Sequence, residues 1–238
     1  GGIRGTLAVS VPNPNLELGV VGNCEVAALI DEAASIVWGC LPAMDGDPVF
    51  CALLGGDAGP ATSGMFALDL RDAAGASQHY LRNTAILDTI LRDAHGNSLR
   101  VRDFCPRYRT RGRIFRPMMF VRIVEPLEGR PVVRVRLRPR CEYGSSSPRT
   151  SRGSHHLAFH APALSFRLTT NASLSAIVTE RYFEVDEPLA FLIGPDTTIE
   201  EHPLALATNF LEATRAYWED WVRGLAIPFE WQEAVIRA

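Results

Sequence analysis

The sequence predicts an all-β fold, a sandwich or barrel of short strands, followed by helices at the carboxy-terminal end. Three observations carry this. Short apolar or alternating runs recur at even spacing up to about residue 200, separated by Gly, Pro, Asn or Asp. Helical spacing of apolar residues replaces them after Pro203. The 238-residue chain is 47% hydrophobic and 21% charged, the composition of a globular protein long enough to bury a core.

Taken in order, strands are predicted over Val26–Ile30, Ser35–Trp38, Met65–Leu70, Ala85–Leu91, Leu99–Phe104 and Met118–Val124. Four more follow over Val132–Leu137, Leu164–Thr169, Ser175–Val178 and Leu189–Ile193. Asp93-Ala-His-Gly-Asn97 reads as the turn of a hairpin. Pro48–Leu54 reads as a short helix, and Ser145–Ser154 as a mobile loop. Leu204–Leu225 has no Pro and reads as one amphipathic helix, with Thr208 or Asn209 as a cap for a late start and Gly224 as its break. Pro228-Phe-Glu-Trp-Gln-Glu-Ala-Val-Ile-Arg237 begins a second helix that ends with the chain. The division is therefore a sandwich over residues 1–203 and a helical segment over 204–238, an amino-terminal piece of something longer.

Composition also excludes functions. No run of about 18 apolar residues is present, so no membrane helix is expected. No secretory signal is read, because Val11-Pro-Asn-Pro14 interrupts the early apolar stretch. The formal charge of −3 does not favour a dedicated nucleic-acid binder. All 24 basic residues are Arg, which closes Schiff-base and P-loop lysine chemistry. Cys24, Cys40, Cys51, Cys105 and Cys141 are odd in number, widely spaced and set among apolar residues. They read as small buried hydrophobes in a reducing cytoplasm, with no metal site.

Three constellations could carry chemistry. Thirteen Arg lie between residues 100 and 140. In Val133-Arg-Val-Arg-Leu-Arg138 alternation puts Arg134, Arg136 and Arg138 on one strand face. That face is either a phosphate-binding stripe or a solvated or acid-paired sheet surface. His155, His156 and His160 sit in a β-like context that does not suit shared metal ligation. Asp45 and Asp47 are a carboxylate pair in a turn, of the residue type used for general acid and base work. No GxSxG, GxGxxG or P-loop occurs.

Several ordered motifs resemble glycoside hydrolase family 15, the bacterial glucoamylase-like and trehalase-like enzymes. They are Leu18-Gly-Val-Val-Gly-Asn-Cys-Glu-Val-Ala-Ala-Leu-Ile30, Ser35-Ile-Val-Trp-Gly-Cys-Leu-Pro42 and Asp45-Gly-Asp-Pro-Val-Phe50. Further along come Tyr80-Leu-Arg-Asn-Thr-Ala-Ile-Leu87, which is expected as a strand, Gly96 to Pro106 with Val101-Arg-Asp-Phe104, Arg134 to Gly144, Tyr217-Trp-Glu-Asp-Trp221 and Trp231 to Arg237. The resemblance implies an antiparallel β-sandwich of the supersandwich kind, a linker helix and the start of an (α/α)6 barrel that performs inverting hydrolysis of α-glucosidic bonds. The catalytic carboxylates of that family belong to the barrel, so no catalytic residue is assigned to this chain and no cofactor is expected. Trp38, Asp45 and Asp47 are the substrate-loop candidates. The chain has Pro42-Ala-Met-Asp45 where many members have Pro-Arg-Phe-Asp, which removes an Arg from that loop. Phe210, Tyr217, Trp218 and Trp221 are expected to form an exposed apolar face that packs on the barrel. The implied partners are that barrel and, for the whole enzyme, an α-linked glucose oligosaccharide or trehalose. The other readings are a stand-alone carbohydrate-binding sandwich using Trp38 and Tyr80, and a basic nucleic-acid binder.

Overall fold

Alternating side chains build two antiparallel sheets that close on one another. The computed structural model describes residues 17–55, 63–225, 227 and 229–237. The Val11–Pro14 break, Pro228 and Ala238 lie outside the described residues. The strands are β1 (Gly19–Gly22), β2 (Ala27–Ile30), β3 (Ile36–Leu41), β4 (Asp47–Cys51), β5 (Met65–Leu70) and β6 (Ala73–Tyr80). They continue with β7 (Leu87–Asp93), β8 (Ser98–Phe104), β9 (Tyr108–Thr110), β10 (Arg113–Phe115), β11 (Phe120–Glu128) and β12 (Val132–Arg138). Next come β13 (Arg149–Arg152), β14 (His156–His160), β15 (Ser165–Thr170), helix α1 (Leu174–Val178), β16 (Phe183–Glu184) and β17 (Leu189–Pro195). Helices α2 (Pro203–Arg223) and α3 (Gln232–Arg237) follow.

One sheet runs β1-β2-β3-β5-β12-β16, with β4 also paired to β3; a second runs β13-β14-β15-β17-β11-β8-β7-β6; β9 and β10 pair as a separate two-stranded sheet. The period of two decides what each strand buries. In β5, Phe66, Leu68 and Leu70 enter the core between the sheets, while Met65 and Ala67 join a small cluster with Val37 on the opposite face. Phe50, Phe66, Phe120 and Phe191 meet in that core with centroids 5.6–6.5 Å apart. In β11, Phe120 and Val124 face the same core, and Val121 and Ile123 face outward. There they meet Ala207 and Leu211 of α2, so the second sheet is apolar on both faces and α2 forms a third layer.

Alternation leaves Arg122 pointing inward. Its guanidinium pairs with Asp103 on β8 at 2.7 and 3.0 Å, both side chains within 2% of full burial. Arg122 also lies 4.5 Å from the centroid of the Phe66 ring. A bidentate ion pair thus sits inside the sandwich.

Several expectations are corrected. Pro48–Leu54 is not a helix: Val49 and Phe50 are buried core residues on β4, and only Ala52–Leu54 forms a 3₁₀ turn. Ser175–Val178 is helix α1, not a strand, because the Ser173 side chain accepts from the Ala176 amide as an N-cap. Ser145–Ser154 is not wholly a loop, since Arg149–Arg152 is β13 paired to β14. Helix α2 begins at Pro203, whose missing N–H costs nothing in the first turn; Thr208 donates to Leu204 O within the helix. Cys24 is exposed, in a left-handed turn with φ of 69°, rather than buried. Strands β1, β4, β6, β9, β10, β13, β14 and β16 are additions to the predicted set.

Candidate functional site

The predicted substrate loop lies at one end of the β3–β4 hairpin. Trp38 is half-buried on β3, opposite Cys51. Asp47 lies at the far end of the same hairpin, opposite Leu41, three residues or about 10 Å along the strand from Trp38. Asp45 is exposed in the connecting turn. Both oxygens of Asp47 are engaged, accepting from the amides of Glu142 at 2.6 Å and Tyr143 at 2.9 Å. Those two residues are left-handed, with φ of 53° and 55°. Asp47 therefore clamps the strained Cys141–Gly144 turn onto β4. Asp47→Asn keeps one acceptor oxygen and is expected to destabilise the domain by about 1 kcal/mol, measurable by urea unfolding.

The remaining constellations are satisfied internally. Arg134 and Arg136 converge on Asp69 at 2.7–3.0 Å, and Arg138 grips Glu180 with two bonds of 2.6 Å. The stripe is an acid-paired sheet face. His160 bridges the hydroxyls of Ser151 and Ser165 at 3.0 and 3.1 Å with no carboxylate behind it. Burial and the nearby Arg167 charge push the His156 imidazole down from its ordinary range. All five cysteines are free. Burial raises the thiols of Cys40, Cys51 and Cys105, which removes them as thiolate nucleophiles. No group of three or more metal-ligating side chains gathers among the described residues.

The aromatic face of α2 is where surface chemistry concentrates. Phe210 is half-buried, stacked 5.7 Å from Tyr108, which in turn stacks 5.7 Å from Phe115. Tyr217 is buried, against the expectation that all four aromatics are exposed, because the Arg107 guanidinium lies over its ring at 4.9 Å. Trp218 is half-buried, 5.4 Å from the same guanidinium, and packs edge-on against Trp221. Trp221 is 43% exposed. The face is thus graded from buried Tyr217 through half-buried Phe210 and Trp218 to exposed Trp221.

Polar bonds that sequence reasoning did not find hold this end in place. Asn23, fully buried, donates to the carbonyls of Pro106 and Pro117 at 2.9 and 2.8 Å and accepts from the amides of Glu25 and Val26. Arg107 donates to Asn23 O at 2.7 Å, and its amide donates to the Thr214 hydroxyl on α2 at 3.1 Å. Asn23 stood inside a quoted motif, but nothing in its spacing signalled a junction.

Beside Trp221 the Tyr80–Ala85 turn opens two grooves that share Asn83. One, of about 480 Å³, is lined by Val20, Tyr80, Thr84, Trp218, Trp221 and Val222. The other, of about 580 Å³, is lined by Arg82, Arg102, Arg215 and Arg223 with Glu212 and Glu219. Asn83 takes the left-handed conformation, φ 59°, that Asn tolerates better than most residues. Thr84 closes the turn by donating to Leu81 O and accepting from the Ile86 amide. The Tyr80 hydroxyl is committed to the backbone of Val20 at 2.7 and 3.0 Å.

No helix among the described residues is long and apolar enough to cross a membrane. No curated protein matches the chain. Residues 7–185 match the family described as trehalase-like, N-terminal. That span contains β1 to β16 and the Tyr80–Thr84 and Val101–Phe104 motifs, and it stops before β17 and α2. A β-sandwich with three-quarters of its chain inside that match belongs to the family of trehalase-like N-terminal domains.

Proposed function

We propose that this chain is the non-catalytic amino-terminal domain of an inverting α-glucoside hydrolase of glycoside hydrolase family 15, glucoamylase-like or trehalase-like. Its role is to pack on a catalytic (α/α)6 barrel through the open end of α2 and to support the barrel's substrate side. The carrying observation is the aromatic gradient of α2: its buried end is fixed on the sandwich by Arg107, and its open end presents Trp221 beside an apolar groove. Helix α3, which approaches that groove through Ile236, is the beginning of the barrel in this reading. The substrate of the whole enzyme is trehalose or an α-linked glucose oligosaccharide. Free cysteines suit a reducing cytoplasm.

The catalytic carboxylates are assigned to the barrel. Supporting this, Asp47 has both oxygens occupied by backbone amides, and Trp38 and Asp47 stand apart along one hairpin. A stand-alone sugar-binding role is less favoured, because Tyr80 is tied to β1 and Trp38 is half-buried.

Two measurements test the proposal. Glucose release from maltose, isomaltose, dextrin and trehalose is compared between this chain and a polypeptide carrying both the domain and the barrel; only the longer one is expected to be active. In the longer polypeptide, Trp221→Ser is expected to lower the unfolding temperature of the barrel. In this chain alone the same change is expected to stay within about 0.5 kcal/mol, as for a surface position. Hydrolysis by this chain, or an unaltered barrel in the variant, overturns the reading.

A further inference from the structure

A left-handed backbone suits Gly or Asn, and a bulky side chain there is an outlier. The turn after β12 holds three such residues in a row, Glu142, Tyr143 and Gly144, with φ of 53°, 55° and 86°. Only the last is Gly. The surroundings impose this conformation. Asp47 of β4 accepts from the amides of Glu142 and Tyr143. The Arg140 guanidinium donates to Gly144 O at 3.1 and 2.8 Å. Cys141 and Ser146 close the base of the turn through their backbones at 3.0 and 3.2 Å, and a side chain on Gly144 would meet Cys51 Sγ at 3.2 Å. Strain that is held in place from outside points to a use for what the turn presents.

It presents Tyr143, which is 68% exposed and makes no ring contact among the described residues. A lone exposed Tyr is ordinary, but here the neighbouring polar groups are unspent as well. Glu142 Oε2 accepts from Ser146 at 2.5 Å, and the carboxylate has no cationic partner among the described residues. Arg140 has no carboxylate partner among them either. Its bonds to Gly144 O and Ser147 Oγ use three N–H groups and leave two of the five. The Ser147 hydroxyl accepts from Arg140 at 2.7 Å and keeps its own proton to donate. Arg140 and Ser147 also line a groove of about 280 Å³ with Ser63, Thr150 and Phe159. That volume is below the range of drug-sized pockets and suits a single ring. Arg138, the other cation lining the groove, is paired with Glu180.

We propose that Tyr143, Glu142, Arg140 and Ser147 form a contact site for one pyranose ring of a neutral α-linked glucoside. A sugar ring has an apolar face for Tyr143 and a rim of hydroxyls, each of which both donates and accepts. The same rim can therefore donate to Glu142 and accept from Arg140. One free carboxylate and one free guanidinium carry no net charge, so the site offers no field to an anion such as phosphate. An apolar protein surface laid over the turn would bury both charges without a partner. Asp47 is a positioning residue: it sets the left-handed turn with both of its oxygens and has none left for the sugar. The choice of an α-linked glucoside rests on the proposed function, whereas the match of ring and hydroxyls does not. The site uses neither Trp38 nor Tyr80 and no residue of α2, so it is separable from the docking role.

Saturation transfer by NMR from the whole chain to trehalose and to maltose tests this, with weak, millimolar binding expected. Tyr143→Ala is expected to lower the transfer about tenfold and to keep the unfolding midpoint, as for a surface position. Tyr143→Phe keeps the ring and is expected to keep the binding. Asp47→Asn leaves Tyr143 in place but loosens its turn, and is expected to weaken binding severalfold at temperatures where the variant is folded. No transfer from the wild type to either sugar, or equal transfer from Tyr143→Ala, overturns the inference. Transfer lost in Trp221→Ser and unchanged in Tyr143→Ala places the sugar at α2 and overturns it too. Displacement of the sugar by an equal concentration of inorganic phosphate shows an anion site and does the same. Glucose release and barrel stability report on the docking role separately, so the failure of one reading is distinguishable from the failure of the other.

Discussion

Asp103→Asn is expected to destabilise the domain by about 3–5 kcal/mol, the cost of leaving a buried charge without its counter-ion. The amide has almost the shape of the carboxylate, so the loss is electrostatic and not a cavity. Arg122 cannot shed its proton, and it has no route to water: its side chain is 1% exposed, among Phe66 and the strands of both sheets. Among the described residues Arg122 has one further hydrogen-bond acceptor, Phe66 O at 3.4 Å, too long to replace a bidentate carboxylate, and the charge of Asp31 acts on it without a hydrogen bond. The pair itself need not be stabilising relative to an apolar core. Replacing both partners, Arg122→Met with Asp103→Leu, is therefore expected to recover most of the loss. Urea unfolding of the two single variants and the double variant measures this. A single-variant effect below about 1 kcal/mol would mean that water reaches the pair.

The same pair shows where sequence reasoning works and where it stops. Met65–Leu70 and Val132–Leu137 were legible because alternation, β-branched content and flanking breaks agree, and β5 and β12 lie there. Arg122 sits inside an equally clear run, yet the run assigns it to a face without saying that an acid waits opposite. That requires the register of β8 against β11, which pairs residues 103 and 122 across nineteen positions. Strand β6 was missed for the opposite reason. It buries no residue fully and only Gln78 and Tyr80 by half, so the period of two has little to act on. Helix α1 was misread because Leu174, Ala176 and Ile177 are all buried and a five-residue helix mimics a short strand. The aromatics of α2 were placed on the right element. Their grading from buried to exposed depends on Arg107, which approaches from a loop more than a hundred residues away.

Asn23→Ala is expected to cost about 3 kcal/mol or more, through polar groups left behind and not through lost volume. Four bonds end on this one amide, joining the β1–β2 turn to the carbonyls of Pro106 and Pro117. Two of them are fully buried, and each unmatched buried group costs about 1–3 kcal/mol. Asn23→Asp discriminates the mechanism. It preserves the acceptor side, for the amides of Glu25 and Val26, but turns an oxygen toward two carbonyls. It is expected to be at least as destabilising as Ala although its size is unchanged. The damage should also travel. Arg107 is held from one side by Asn23 O and from the other, through its amide, by Thr214 on α2, and its guanidinium is the platform under Tyr217 and Trp218. Thr214→Val cuts only the α2 side and is expected to cost about 1 kcal/mol. If both bonds hold one arginine in place, the double variant loses less than the sum of the singles, because the second cut acts on a platform already freed. Additive losses, with amide exchange in α2 unchanged by Asn23→Ala, would show that the turn and the docking helix are independent. A sub-additive cycle with faster exchange around Tyr217 would make Asn23 the residue through which the sandwich sets the position of its outward-facing aromatics.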